Sequence, residues 1–496
     1  MNIKDSQKKK INEIFTSLFA VLALTLSSCE KSFEELEKDP NRPINVPASL
    51  VLQGVESDLF NNNGRPFSAE MRWNQFYCSN YNYYATNEYT WTQTPNHYNT
   101  LKNVIKMEVE AKRGGLADIN EYSALGKFFR AFFFEQMTTR VGDLPMAEAL
   151  LGITNVTPKY ESQKAVNAYK LRVFISLSKK EADADLNVKA RFAEMISNPT
   201  KYPVLGSLTD NLEYRYNNFN KYPSNPDNFG FNATRQNMSK AYVEPLSNLK
   251  DPRVMVTCEP AGSELKVGKL PSDFSAFVGA SSAEDLTDMS DKAGRSNGTG
   301  FAPGVYSFQN RFRYYRNYVA ENTFIVGFPE MCFNIAEAYN LGWATGDAET
   351  WYKKGIQASL EFYGIKNGAN TMTYSKSGGR EAADLATFNI DFNFDTYYNQ
   401  ASVKYAGKTT QGREQILTQK YLAFFMNSGM EAYFNWRRTG FPKFYSGVGN
   451  GNSNRIAVRW QYPLSERNTN ATNYKSAIDS QFAGKDDIND TIWLLK

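Results

Sequence analysis

The sequence predicts a mainly α-helical chain, and three observations carry that prediction. Apolar residues recur at helical spacing in several separate segments. Two of these segments are joined by a turn so short that they must lie antiparallel. No sustained alternation of strands and helices runs along the chain, so barrels and doubly wound sheets fit poorly. In chain order, 121–139 places Leu125, Phe129, Phe132, Phe133 and Met137 on one face and stops at Gly142-Asp143-Leu144-Pro145. The next helix, 329–341, sets Met331, Ile335, Ala338 and Leu341 on one side. After Thr345-Gly346-Asp347, a helix over 348–363 puts Trp351, Gly355, Ala358 and Phe362 on its inner stripe, with Asp347 as N-cap and Gly364 as stop. A last helix, 414–428, turns Leu417, Tyr421, Phe424 and Phe425 inward.

The Ala, Tyr, Gly and Trp spacing of the 329–363 pair is similar to that of a tetratricopeptide-type hairpin. Between the helices run polar, Gly- and Asn-rich stretches, 196–238, 259–304, 366–412 and 446–490. Stretches of that length in a folded domain carry function or mobility. The expected fold is therefore a tetratricopeptide-like helix-pair scaffold with long irregular loops forming a ligand-binding face.

The N-terminus reads as an address. Lysines at 4, 8, 9 and 10 precede an apolar run over 11–26 that is too short to span a bilayer. It ends in Leu26-Ser27-Ser28-Cys29, which resembles a bacterial lipobox, in which the cysteine thiol is acylated and becomes the new N-terminus. Several acyl chains together make a firm anchor. The expected division is a lipoprotein signal peptide over 1–28, a lipidated tether over 29–50, acidic and then Pro-punctuated, and one helical domain over 51–496. No other segment reaches 18 uninterrupted apolar residues. Cys78, Cys258 and Cys332 are odd in number and far apart, so they form no disulfide framework or metal pattern and read as buried small residues.

Charge and composition exclude other classes. Lys and Arg number 56 against 52 Asp and Glu, a formal +4, of which +2 sits in 1–28. So balanced a chain gathers no polyanion, which argues against nucleic acid as a partner. Its single histidine, His97, rules out any chemistry that needs two. No nucleophile motif or phosphate loop is present, no pair among the carboxylates stands in a catalytic motif, and no cofactor is implied. Asp486, Asp487 and Asp490 miss the register of a calcium loop, and no metal site is expected.

Aromatic residues make up 14% of the chain, and they concentrate between Arg72 and Tyr98. There Trp73, Phe76, Tyr77, Tyr81, Tyr83, Tyr84, Tyr89, Trp91 and Tyr98 interleave with Asn74, Gln75, Asn80, Asn82, Asn87 and Asn96. Sugars present apolar C–H faces ringed by hydroxyls, so their sites need flat aromatic surface beside amide donors and acceptors. Candidate ligand-binding residues are Trp73, Tyr77, Tyr83, Tyr84, Trp91, Asn96 and Tyr98. Peptides suit such a surface too. The stretch Phe312-Arg313-Tyr314-Tyr315-Arg316-Asn317-Tyr318 offers guanidinium groups for acidic sugars, against which stands an amphipathic strand or a protein contact, the preferred reading. Trp436-Arg437-Arg438 reads as structural, its arginines pairing with carboxylates at helix ends.

Four blocks in order resemble the SusD/RagB family of outer-membrane nutrient-binding lipoproteins of Bacteroidota, in its SusD-like branch. They are Cys29 with its Asp-Pro-Asn tether, Thr139-Arg140-Val141-Gly142-Asp143-Leu144-Pro145 leading to Tyr160-Glu161-Ser162-Gln163, the helix pair from Glu330 to Tyr363, and Gly429-Met430-Glu431-Ala432-Tyr433-Phe434-Asn435-Trp436-Arg437-Arg438. The resemblance implies a tetratricopeptide-like scaffold and a lipid-anchored, surface-exposed protein of the outer membrane. It also implies a SusC-like TonB-dependent barrel as partner, over which the lipoprotein sits as a lid. The implied role is to capture glycan or peptide oligomers and deliver them to the barrel, without catalysis. A surface glycosidase or peptidase, and a structural lid without a ligand of its own, stay open beside it. One departure stands out. The family has a further helix and loop between the segment at 160–163 and the helix at 164–178, whereas here Gln163 runs straight into Lys164, which would uncover an apolar helix face.

Overall fold

The computed structural model describes residues 46–62, 64–83, 85–146, 149, 171–200, 202, 204–229, 233–293, 304–427 and 429–496. The leader, Cys29, most of the tether, Tyr84 and the junction after Gln163 lie outside them. Among the described residues no helix is long and apolar enough to cross a membrane.

Helices dominate, as the periodicity predicts. α1 (Ala48–Asn62) packs on α2 (Tyr98–Arg113), and α2 on α3 (Glu121–Val141). Asn120 caps α3 reciprocally: its side chain accepts the Ser123 N–H at 3.0 Å while Ser123 Oγ accepts the Asn120 N–H at 3.0 Å. The first half of α3 is amphipathic. Its second half, from Phe132 on, is buried on all sides because it runs into the main core. α4 (Leu171–Ser176) and α5 (Lys240–Asn248) follow, then the hairpin of α6 (Phe328–Asn340) and α7 (Ala348–Phe362). α8 (Thr410–Ala423) lies across that hairpin, and α9 (Glu431–Thr439) and α10 (Ala471–Phe482) follow it.

The α6–α7 hairpin has the predicted boundaries for physical reasons. Asp347 accepts the Glu349 N–H at 3.0 Å, and Gly364 takes φ +77°, where a side chain would be strained. At Gly355 a Cβ would stand 2.7 Å from the Phe333 ring, so only glycine lets α7 approach α6 this closely. The inner stripe of α7 is rotated from the expected one. Tyr352, Gly355, Ile356, Ala358 and Leu360 are buried, while Trp351 and Phe362 are half-buried at its margins. α8 begins earlier than expected because Thr409 caps it, accepting the Gly412 N–H at 3.0 Å. It also ends earlier, leaving Phe424 and Phe425 in a buried turn.

Strands occur as antiparallel pairs: β1 (Tyr77–Ser79) with β3 (Gln236–Met238), β2 (Leu212–Tyr214) with β4 (Thr323–Val326), and β5 (Gly368–Ser375) with β6 (Leu385–Phe392). The last pair corrects the expectation of an irregular 366–412, and α10 corrects that of an irregular 446–490. The 312–318 stretch is not a strand either. Asn310 accepts the Arg313 N–H at 3.2 Å and starts a short helix, Arg311–Tyr315.

Buried ion pairs tie the helices together. Arg172 on α4 donates to both oxygens of Glu330 at 2.8 Å, to Glu431 at 3.3 Å and to the Ile325 carbonyl at 2.7 Å. Val173, Phe174 and Ile175 beside it are buried. Arg438 meets the buried carboxylate of Glu337, as predicted for a helix-end pair. Arg437 instead donates to the carbonyls of Val458 at 2.7 Å and Thr139 at 2.8 Å, and it forms no ion pair among the described residues.

Candidate functional site

The aromatic-rich segment leaves β1 and crosses the surface to the start of α2. Its course is set by side chains bonded to its backbone. Asn87 accepts the Ser79 N–H and donates to the Ser79 carbonyl, both at 2.8 Å. Arg72 holds the Thr86 carbonyl at 3.2 Å, and the Trp73 indole N–H holds that of Glu88 at 3.1 Å. The Tyr89 N–H donates to Asn450 at 2.9 Å, and Asn450 donates in turn to the Ser282 carbonyl at 3.1 Å. Asn452 and Asn489 exchange amide hydrogen bonds at 2.8 and 3.0 Å. Loops around 80–92, 282, 447–454 and 485–489 are thereby joined into one platform.

The described site residues separate into four groups on this frame. Tyr77 is core: it is fully buried, and its hydroxyl donates to the carbonyls of Phe67 at 2.5 Å and Ser68 at 2.8 Å. Trp73 and Trp91 meet edge to face at 5.1 Å, and Trp91, 3% exposed, stacks on Trp460 at 3.8 Å. Tyr83 stands 80% exposed, with the half-buried Tyr81 ring 6.3 Å away and the Arg235 guanidinium 4.4 Å over Tyr81. Asn96 is exposed and accepts the Tyr98 N–H at 3.0 Å, while the Tyr98 hydroxyl donates to the Pro145 carbonyl at 2.6 Å. These two line a small separate cavity with Leu144 and Tyr462. Of the interleaved amides, Asn74, Gln75, Asn80 and Asn87 are buried and brace the fold, and Asn82 and Asn96 remain at the surface.

Beside the platform lies an open depression of about 600 Å³, lined by Thr90, Trp91, Thr92, Asn452, Gln461 and Lys485–Ile488. The Trp91 indole N–H is buried with no hydrogen-bond partner among the described residues. Trp460, Gln461 and Lys485 were not legible as site residues, since they come from a Gly- and Asn-rich stretch with no periodic signal. The Asp486 carboxylate is taken by Arg459 at 2.5 Å, and among the described residues no cluster suited to a metal ion occurs.

His97 is buried against Phe133, and burial, helped by Arg140, lowers its pKa to about 3, so it is neutral at neutral pH. A histidine whose folded pKa lies below its unfolded value costs stability as pH falls through the interval between them. Wild type should therefore lose stability between about pH 6.5 and 3 more steeply than His97→Gln, read by denaturant unfolding; parallel curves would contradict the assignment. Cys78, Cys258 and Cys332 are buried and free as expected, with burial pushing each thiol up to about 12.

The SusD-like family model, described as starch-binding associating with outer membrane, matches residues 40–167 and 163–463. The chain belongs to the SusD-like family. The two matched segments meet at 163–167, where the family resemblance leads one to expect more residues than this chain has. A SusD homologue from Bacteroides fragilis matches with TM-score 0.75 and 26% identity over 91% of this chain and 100% of that one. A second from the same species gives 0.72 and 25% over the same shares. A chitin-binding SusD homologue from Flavobacterium johnsoniae shares the fold at TM-score 0.64 and 16% identity, over 89% of this chain and 98% of that one. No curated protein matches the chain. The helical, tetratricopeptide-like architecture is thus that of the SusD-like proteins.

Proposed function

We propose that this SusD-like chain is a cell-surface protein anchored in the outer membrane through acylated Cys29, and that it captures glycan oligomers and delivers them to a SusC-like TonB-dependent barrel. Peptide oligomers are the second ligand class. The observation that carries this reading is the platform itself. The Tyr81 and Tyr83 rings lie at the surface of the loop whose later residues, Thr90 to Thr92, help line a depression that combines threonine hydroxyls, amides and Trp91. Flat aromatic surface next to such donors and acceptors suits the alternating apolar and hydroxylated faces of sugars. The family's description as starch-binding and the chitin-binding relative favour glycan over peptide. The role is binding without turnover, supported by a neutral buried histidine and inert thiols.

Titration calorimetry of the full chain against a panel of polysaccharides and peptides, with product release assayed in parallel, tests this. Binding of one ligand class without product is the expected result. Turnover would establish a hydrolase instead, and silence from protein that circular dichroism shows to be folded would leave a structural lid.

A further inference from the structure

The Arg311–Tyr315 helix, the C-terminal end of α7 and strand β5 enclose a second cavity of about 360 Å³, within the size range of small-ligand sites. Its charged lining consists of Arg313 and Lys366, with no carboxylate among the lining residues. Arg313 is held along one edge, its Nε donating to Glu321 at 2.7 Å. Its two terminal nitrogens make no hydrogen bond with the described residues, and the side chain keeps 22% exposure. Lys366 is exposed and has no ion-pair partner among the described residues. Arg316, also exposed and without an acidic partner there, lies 4.9 Å over the ring of Phe312 at the same helix.

The lining amides are already committed, whereas the buried Tyr363 hydroxyl has no hydrogen-bond partner among the described residues. The Asn310 amide donates to the Thr373 carbonyl at 2.9 Å, and that of Asn370 to the carbonyls of Lys366 at 2.7 Å and Gly368 at 2.8 Å. What remains for a ligand is the Lys366 ammonium, the free edge of the Glu321-paired Arg313 guanidinium, the Tyr363 hydroxyl and one half-buried aromatic ring. Concave walls focus such a field on an anion. A guanidinium edge matches the planar oxygens of a carboxylate, and the Phe312 ring suits the C–H face of the sugar that carries it.

We propose that this cavity binds a uronate unit, the carboxylate lying against Arg313 and Lys366. The site is separate from the 80–92 platform and does not depend on the ligand reading given for it. Calorimetry of the full chain with digalacturonate and with neutral galactobiose tests it directly. Digalacturonate should bind at least tenfold more tightly than galactobiose. Lys366→Ser combined with Arg316→Ser should cost a further tenfold; both side chains are exposed, so the fold is kept. Arg313→Lys, which leaves Glu321 a counter-charge but removes the fork, should weaken binding too. Equal affinity for both disaccharides, no binding of digalacturonate, or variants that bind as wild type would overturn the proposal. Competition by sulfate or a glutamate-rich peptide at the same concentrations would overturn the sugar assignment in favour of a general anion cradle.

Discussion

Glu337→Ala should lower the stability of the fold by about 3–5 kcal/mol, a large part of what a typical protein has. Glu337 lies on α6, fully buried, and receives both terminal nitrogens of Arg438 at 2.7 and 2.8 Å, with Arg413 adding contacts at 2.9 and 3.2 Å. Burial alone would raise its pKa. Arg438, with Lys420 and Arg413 behind it, overcomes that and holds the carboxyl at about 2. Removing the carboxylate leaves Arg438 buried on α9 with only Ser178 and Asn435 as hydrogen-bond partners among the described residues, at 2.8 and 3.0 Å. The cost is that uncompensated charge more than the lost pair itself.

The same pair predicts a pH dependence. A carboxyl whose folded pKa is depressed contributes stability above its unfolded value and loses it as pH falls through the folded one. Wild type should exceed Glu337→Gln by about 3 kcal/mol near neutrality, with the gap closing between about pH 4.5 and 2. Urea unfolding of both proteins across that range measures it. A loss below about 1 kcal/mol at pH 7, or a gap independent of pH, would contradict the account.

The second large effect concerns binding. Tyr81→Ala with Tyr83→Ala should weaken capture of whichever oligomer the protein takes by roughly a hundredfold, about tenfold per ring, since a tenfold change corresponds to about 1.4 kcal/mol. Tyr83 is largely exposed, so stability should change by less than about 0.5 kcal/mol on its loss. Trp91→Ala is a poorer probe. Its ring is packed between Trp73, Tyr433 and Trp460, and deleting it costs about 3–5 kcal/mol of fold stability before any ligand is involved. Calorimetry beside thermal unfolding separates the two variants. Unchanged affinity in the double tyrosine variant would remove the platform as the ligand surface.

These outcomes also show which parts of the molecule the sequence could reveal. The α6–α7 hairpin was legible because its signals are local: Asp347 caps, Gly364 stops, and apolar residues recur at helical spacing between them. The strand at 385–392 carries its own local signal, Phe388, Ile390 and Phe392 alternating with Asn389 and Asp391, but polar and glycine-rich neighbours obscure it. At the candidate site the limit is different. Composition picks out an aromatic, amide-rich segment, yet it cannot tell Tyr77, whose hydroxyl ties down the core, from Tyr83, which stands in solvent. That distinction depends on what arrives from far along the chain: Tyr433 and Trp460 against Trp91, Arg235 against Tyr81, Asn450 against Tyr89. Pairings at such separation leave no trace in local spacing.

A crystal structure of the protein soaked with the oligosaccharide that calorimetry selects tests the central claim most directly. The account predicts an intact oligomer lying along Tyr81 and Tyr83 and reaching the depression at Thr90, Trp91 and Asn452. A cleaved product, or an oligomer bound elsewhere with these residues untouched, would contradict it.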